Sequence, residues 1–158
     1  MSRPTPHPAL RRLDILVGEW DMWAAGRSAG PFRVEFTWQE GGAFLVQRAD
    51  VTPETSLPGP WADHAPFPTV SLTGYDDTAD QFTILYADGR GVSRVYYGSM
   101  ADRTWCQWRS APGFHQRLTV TVSPDGTTME GQWEQSADGD RWTTDFDVVF
   151  ERRGKPQS

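Results

Sequence analysis

The residues best placed to do chemistry are two arginines on otherwise apolar strand rows. Arg48 follows Phe44 and Val46 at a spacing of two, and Asp50 continues the row. Arg94 stands between Val92 and Tyr96 in the same manner. Alternate residues of an extended strand share a face, so both guanidinium groups are expected on the dry side. A lone charge there is expensive. It must either pair with an internal carboxylate, with Asp50 and Glu19 as candidates, or lie at a rim, or meet the acidic or carbonyl group of a ligand, which a guanidinium can grip bidentately. The first two readings make the arginines structural; the third makes them an anchor. A one-residue change of parity would turn either row outward.

Other chemistry is sparse. His64 lies between Trp61 and Phe67 in a proline-rich stretch and is, with Asp50 and a tyrosine, the candidate acid–base group. His115 shares parity with Arg117 and is expected at a surface or rim. The three histidines, His7, His64 and His115, are widely spaced, and Cys106 is the single cysteine, so neither a metal site nor a disulfide is expected. Asp138-Gly139-Asp140 and Asp76-Asp77 read as turn residues, because a calcium loop needs more ligands and a distal glutamate. No G-x-S-x-G, S-x-x-K or phosphate-binding loop is present. Trp20, Trp38, Trp133 and Trp142, with Tyr86 and Tyr96, are the expected interior lining, as core filling or as the wall of a ligand pocket.

The elements that would position these groups are short strands. Phe32, Val34, Phe36 and Trp38 alternate with Arg33, Glu35, Thr37 and Gln39, which is period two with one dry and one wet face. Glu40-Gly41-Gly42 breaks the pattern, and residues 43–51 form the second arm of a β-hairpin. Further strands are predicted at 19–26, 69–75, 81–86, 92–98, 103–110, 114–122, 127–135 and 141–152, separated by turn residues such as Ser123-Pro124-Asp125-Gly126. Residues 52–68, with five prolines, read as a long irregular loop that could cover a site. Residues 9–16 form a short helix after Pro8, too short to stand alone, so it must pack on the sheet. Residues 1–8 and 154–158 read as tails of a single domain spanning 9–153.

About ten strands without intervening helices predict an antiparallel meander. Its two edges disappear if it closes into an up-and-down barrel. Ten strands are slightly more than side chains alone can fill, so a lumen is expected, with the N-terminal helix plugging one end.

Charge bounds the partners. The chain of 158 residues carries a net charge of −6, which argues against nucleic acid and anionic membrane. It has neither a signal-peptide core nor a run of transmembrane length, and a cytoplasmic location is expected.

The motifs LVGEW (residues 16–20), TWQEGGAFLVQR (37–48), GYD (74–76), DGTTMEGQWEQSADGDRW (125–142) and the closing DFDVVFER together resemble an uncharacterised bacterial family of calycin-like β-barrels, distantly similar to nitrobindin and the fatty-acid-binding proteins. The resemblance implies a ligand-holding barrel. Nitrobindin-like chains carry G-x-W-x-G-x-G on the first strand; Gly18 and Trp20 fit, whereas Met22 and Ala24 replace the later glycines. Haem held by a histidine of a C-terminal strand is not expected, since residues 141–152 contain no histidine. No cofactor is expected.

Three functions follow from these residues. The first is binding of a small, mostly apolar molecule in the lumen, with Arg48 or Arg94 on its acidic or carbonyl group and Trp20, Trp38, Val46, Tyr86, Tyr96, Trp133 and Trp142 around it. The second is a cofactor-independent isomerase or cyclase using the same lumen. The third is a structural homodimer with no ligand. Fold alone does not separate them.

Overall fold

The computed structural model describes residues 3–154, so the predicted C-terminal tail at 154–158 lies, apart from Gly154, outside the described residues. A 3-10 helix, Pro8–Leu16, precedes ten strands: β1 Gly18–Ala24, β2 Ala29–Gln39, β3 Phe44–Ser56, β4 Thr69–Asp76, β5 Gln81–Asp88, β6 Ser93–Ala101, β7 Thr104–Arg109, β8 His115–Val122, β9 Thr128–Ser136 and β10 Thr143–Arg153. One α-helical turn, α1 Pro60–His64, sits between β3 and β4. Each strand pairs antiparallel with its sequence neighbours, and β1 pairs with β10, so the meander closes as an up-and-down barrel with no free edge.

The core is the inner face of this wall. Phe32, Val34 and Phe36 of β2, Leu118 and Val120 of β8, Met129 and Trp133 of β9, and Phe146, Val148 and Phe150 of β10 point inward, as their alternation predicts. Wide side chains meet narrow ones: Gly98 of β6 lies under the Trp105 ring, and a Cβ at Gly98 would stand 2.6 Å from that ring.

The 3-10 helix closes one end. Leu10, Leu13 and Leu16 are buried against the lumen. Polar contacts from three side chains supply what so short a helix lacks. The Trp20 indole N–H donates to the Leu16 carbonyl at 2.9 Å, and the Trp38 indole N–H to Asp14 Oδ1 at 2.8 Å. From β10, Arg152 lies over the Trp20 ring at 4.1 Å and donates to the carbonyls of Ile15 (2.7 Å), Val17 and Gly126 (2.8 Å). Trp20 and Trp38 therefore hold the plug rather than line an open lumen.

Two face assignments differ from the sequence reading. On β3 the inward residues are Leu45, Gln47 and Ala49. Val46, Arg48 and Asp50 point outward; Arg48 and Asp50 are exposed, and Val46 is shielded by its neighbours on the outer wall. The run Phe44-Leu45-Val46 is apolar on both parities, so alternation there does not say which face is dry. On β10 the register shifts between Thr144 and Phe146, and this bulge reverses the parity of everything before it. Trp142 consequently stacks outside, under the Arg117 guanidinium at 4.1 Å. The expected loop at 52–68 is also shorter than read: β3 continues to Ser56. Its ladder to β4 ends at Ala49, so Pro53 costs no β3–β4 hydrogen bond.

Among the described residues, no helix is long and apolar enough to cross a membrane, and no three His, Cys, Asp or Glu side chains gather as metal ligands.

Candidate functional site at the open end of the barrel

The end opposite the plug carries the polar cluster. Tyr86 lies on the inner row of β5, which ends at Asp88, and Arg94 stands opposite Tyr86 at the start of β6. Tyr96, two residues further along β6, meets Tyr86 edge-to-face at 6.2 Å and Trp133 of β9 at 5.8 Å. From the other side Arg109 ends β7 directly opposite Gln116 of β8. Gln116 is buried, and its Oε1 accepts from the Tyr96 hydroxyl at 3.0 Å and from Arg94 Nη1 at 3.4 Å. The Arg94 guanidinium also lies 5.4 Å from the Phe114 ring.

The Asp88 carboxylate at this end is already engaged. The Asp88 side chain is 0 % exposed and accepts from the Tyr86 hydroxyl (2.6 Å), the Arg90 backbone N–H (2.9 Å) and the Arg90 guanidinium (2.7 Å). The Arg90 guanidinium and the other donors hold its carboxyl well below the usual carboxylate range. Arg94 and Arg109 are half-buried, and among the described residues neither has a carboxylate within 4.0 Å. The expected pairings of Arg94 with Asp50 or Glu19 do not form.

Burial raises the Tyr96 phenol above its ordinary range, while Arg94, Arg109 and Arg90 pull it the other way. Tyr86 is raised by burial and by its bond to Asp88, and Tyr75, at the plugged end, by its bond to Asp80. In each case the neutral phenol is the form the fold prefers. The corresponding stability is complete below about pH 10 and is lost as pH rises through the folded-state values. An ultraviolet titration is expected to show most phenolate absorbance appearing late and together with loss of structure. Bulk ionisation near the ordinary tyrosine pKa with the fold intact would contradict this.

The segment between β3 and β4 lies across the same end. Trp61 packs edge-on against Phe146 at 5.0 Å, and Phe67 stacks on Phe32 at 4.2 Å. The Gly89 N–H, in the β5–β6 turn, donates to the carbonyls of Pro66 and Pro68, tying the segment to the far rim. His64 is exposed on the outer side of this cover. His64 and Asp50, the two acid–base candidates, are thus both exposed, and the Tyr86 and Tyr96 hydroxyls bond Asp88 and Gln116 instead. His115 sits at the rim, its Nδ1 accepting from the Ala111 N–H at 3.2 Å.

Between the polar layer and the plug lies a cavity of about 60 Å³, walled by Leu13 and Leu16 below and by Gln47, Thr73, Trp105 and Gln107 around. Drug-sized pockets run to about 300–1,000 Å³, so in this closed form the lumen has room for a small group only. Of the residues expected at the site, Tyr86, Arg94, Tyr96 and Trp133 are brought together. Arg109, Gln116 and Asp88 join them without having been singled out. Arg109 shares the parity of Trp105 and Gln107, and Gln116 that of Leu118 and Val120, which is the signal that points to them.

The fold and the site together define a closed ten-stranded antiparallel barrel with one plugged end and one arginine-bearing end. Among solved structures, the crystal structure of Rv2717c from M. tuberculosis is similar to this chain, with a TM-score of 0.57 and 15% identity over 95% of this chain and 100% of that one. At that identity the likeness is one of fold. No protein-family model matches the chain, and no curated protein matches it.

Proposed function

We propose that the barrel binds a small amphipathic organic acid, its carboxylate or carbonyl group on Arg94 and its apolar part against Tyr96 and Trp133. The observation that carries this reading is the Arg94 guanidinium, half-buried on the inner wall and bonded to Gln116, with no carboxylate partner among the described residues. Desolvating such a group without a counter-charge is costly, and a ligand anion offsets that cost. The Tyr96 hydroxyl and Gln116 supply further hydrogen bonds. The closed meander and the plugged end are compatible with the resemblance to calycin-like barrels, nitrobindin and the fatty-acid-binding proteins, and that resemblance supports a lumenal ligand. Trp61 and Phe67 must swing aside for the acid to enter, after which they exclude water from the ion pair.

The test is a binding titration, read by tryptophan fluorescence and calorimetry, of benzoate, phenylacetate and octanoate against their neutral amides. The acids are expected to bind more tightly than the amides. Arg94→Gln should weaken the acids about tenfold or more, the value of a charged hydrogen bond, while leaving the amides unchanged. Equal affinity for acids and amides, or an Arg94→Gln variant that binds the acids normally, overturns the reading.

A further inference from the structure

The outer wall is sharply divided in charge. Over β8, β9, β10 and β1 it carries the Arg117–Glu134 and Arg153–Asp21 pairs, together with Glu130, Asp147 and Glu151. Over β4, β5 and β6, between the Asp76 turn and the site end, no outward side chain is charged. In a chain of net charge −6 that is a marked depletion. Among the described residues, the same three strands hold five of the six large apolar side chains left exposed: Val70 (42 %), Leu72 (39 %), Leu85 (51 %), Val95 (49 %) and Tyr97 (41 %). Loss of charge with retention of apolar and aromatic groups is the composition of an interface core, and contiguous apolar patches of this kind mark association sites.

From this we infer that the β4–β6 face is the interface of a homodimer, built about a two-fold axis that runs parallel to the strands between β4 and β5. The register selects a second copy as the partner. Leu72 of β4 and Leu85 of β5 stand directly opposite one another, with Val95 of β6 continuing their row on one side and the buried Val46 of β3 on the other. The two exposed residues at the centre of the row are thus the same. A two-fold between β4 and β5 lays Leu72 of one chain on Leu85 of the other. That is the self-complementarity an isologous contact requires.

The adjoining row fits the curvature. Gly74 and Thr83, opposite one another at the centre, are small, and Tyr97 stands beyond Thr83 on β6. Phe44 points outward at the β3 side. Two convex walls touch at their middles and part toward their sides, so small residues belong at the axis and aromatic ones at the flanks. Arg48 is the only charged residue on the outer side of the paired part of β3, and it lies at the edge of the face. Aligned sheet packing of this type is ordinary.

The area is sufficient but modest. Four strands about 4.8 Å apart and roughly 17 Å long span some 300 Å² in projection, and side-chain relief brings the surface lost by two copies to the order of 1,000 Å². That is the lower bound for a specific contact, so a dimer of roughly micromolar strength is expected.

Sedimentation velocity on the purified chain at about 100 µM, well above the expected dissociation constant, should show a dimer. Leu85→Arg and Leu72→Glu should each sediment as monomers with an unchanged circular dichroism spectrum, since both side chains are solvent-exposed. Mixed in equal amounts, the two variants should dimerise again. The two-fold then sets the introduced arginine of one chain on the introduced glutamate of the other, and restores Leu72 on Leu85 at the second contact. Thr121→Arg, on the opposite wall, should remain dimeric. A wild-type monomer at this concentration, a Leu85→Arg variant that still dimerises, or a mixture that stays monomeric overturns the inference. Any binding of unrelated proteins by a monomeric wild type counts against it equally.

Discussion

Alanine at position 131 is expected to cost more than about 4 kcal/mol, enough to put the variant in the exceptional class of point mutations. Gly131 lies in β9, between Val120 of β8 and Val148 of β10. A Cβ built there would stand 1.8 Å from the Thr119 carbonyl oxygen, 2.7 Å from its carbonyl carbon and 2.7 Å from the Val120 Cα. All three are backbone atoms of a paired strand, so no rotamer change relieves the clash. The β8–β9 ladder must part, and the inner layer holding Leu118 and Trp133 parts with it. Against a total stability of about 5–15 kcal/mol, the melting temperature should fall by more than about 10 °C, or the protein should be recovered insoluble. Gly74→Ala is the control, because a Cβ at Gly74 meets nothing within 4 Å. Gly131→Ala with a wild-type melting curve would refute the packing described for this seam.

Arg152→Leu is expected to release the plug. The guanidinium serves three carbonyls at once, two in the 3-10 helix and its C-terminus and one in the β8–β9 turn, while covering the Trp20 ring. Burial makes its charge harder to hold than that of a free arginine, yet removing it strands its acceptors. The loss should be about 3 kcal/mol or more, as for charged hydrogen bonds whose partners are left unsatisfied. Trp20 is 0 % exposed, so the variant should show red-shifted tryptophan emission and readier quenching before global unfolding. Lysine should rescue only part, since a single ammonium cannot reproduce the fork. Wild-type stability and emission in Arg152→Leu would show that the leucines alone hold the helix.

Much of this architecture is legible in the sequence. The turns are written in Gly, Asp, Pro and Ser, and β2, β8 and β9 alternate cleanly, so strand number, closure and the plug all follow from pattern and edge energetics. The site is less legible, for identifiable reasons. On β3 the apolar triplet Phe44-Leu45-Val46 satisfies either parity, and alternation carries Arg48 and Asp50 inward with the wrong row. On β10 a bulge, which leaves no compositional mark, separates Trp142 from the strand parity that spacing alone assigns it. Arg94 faces inward, as read, because Tyr96 and Met100 continue its row without a break. Its company is not readable locally, because Gln116 reaches it from a strand 22 residues away in sequence, through a register only the closed barrel sets.

The pairing of β1 with β10 also dictates an order of assembly. Nine of the ten strand pairs are hairpins between sequence neighbours, which zip locally at little loop-closure cost. The tenth joins Glu19 to Arg153, and the entropy of closing nearly the whole chain falls on that one step. Trp20 sits on this seam, facing Arg152 across it. Its fluorescence is therefore the natural clock for the last event in folding, the moment at which a curled sheet becomes a ring.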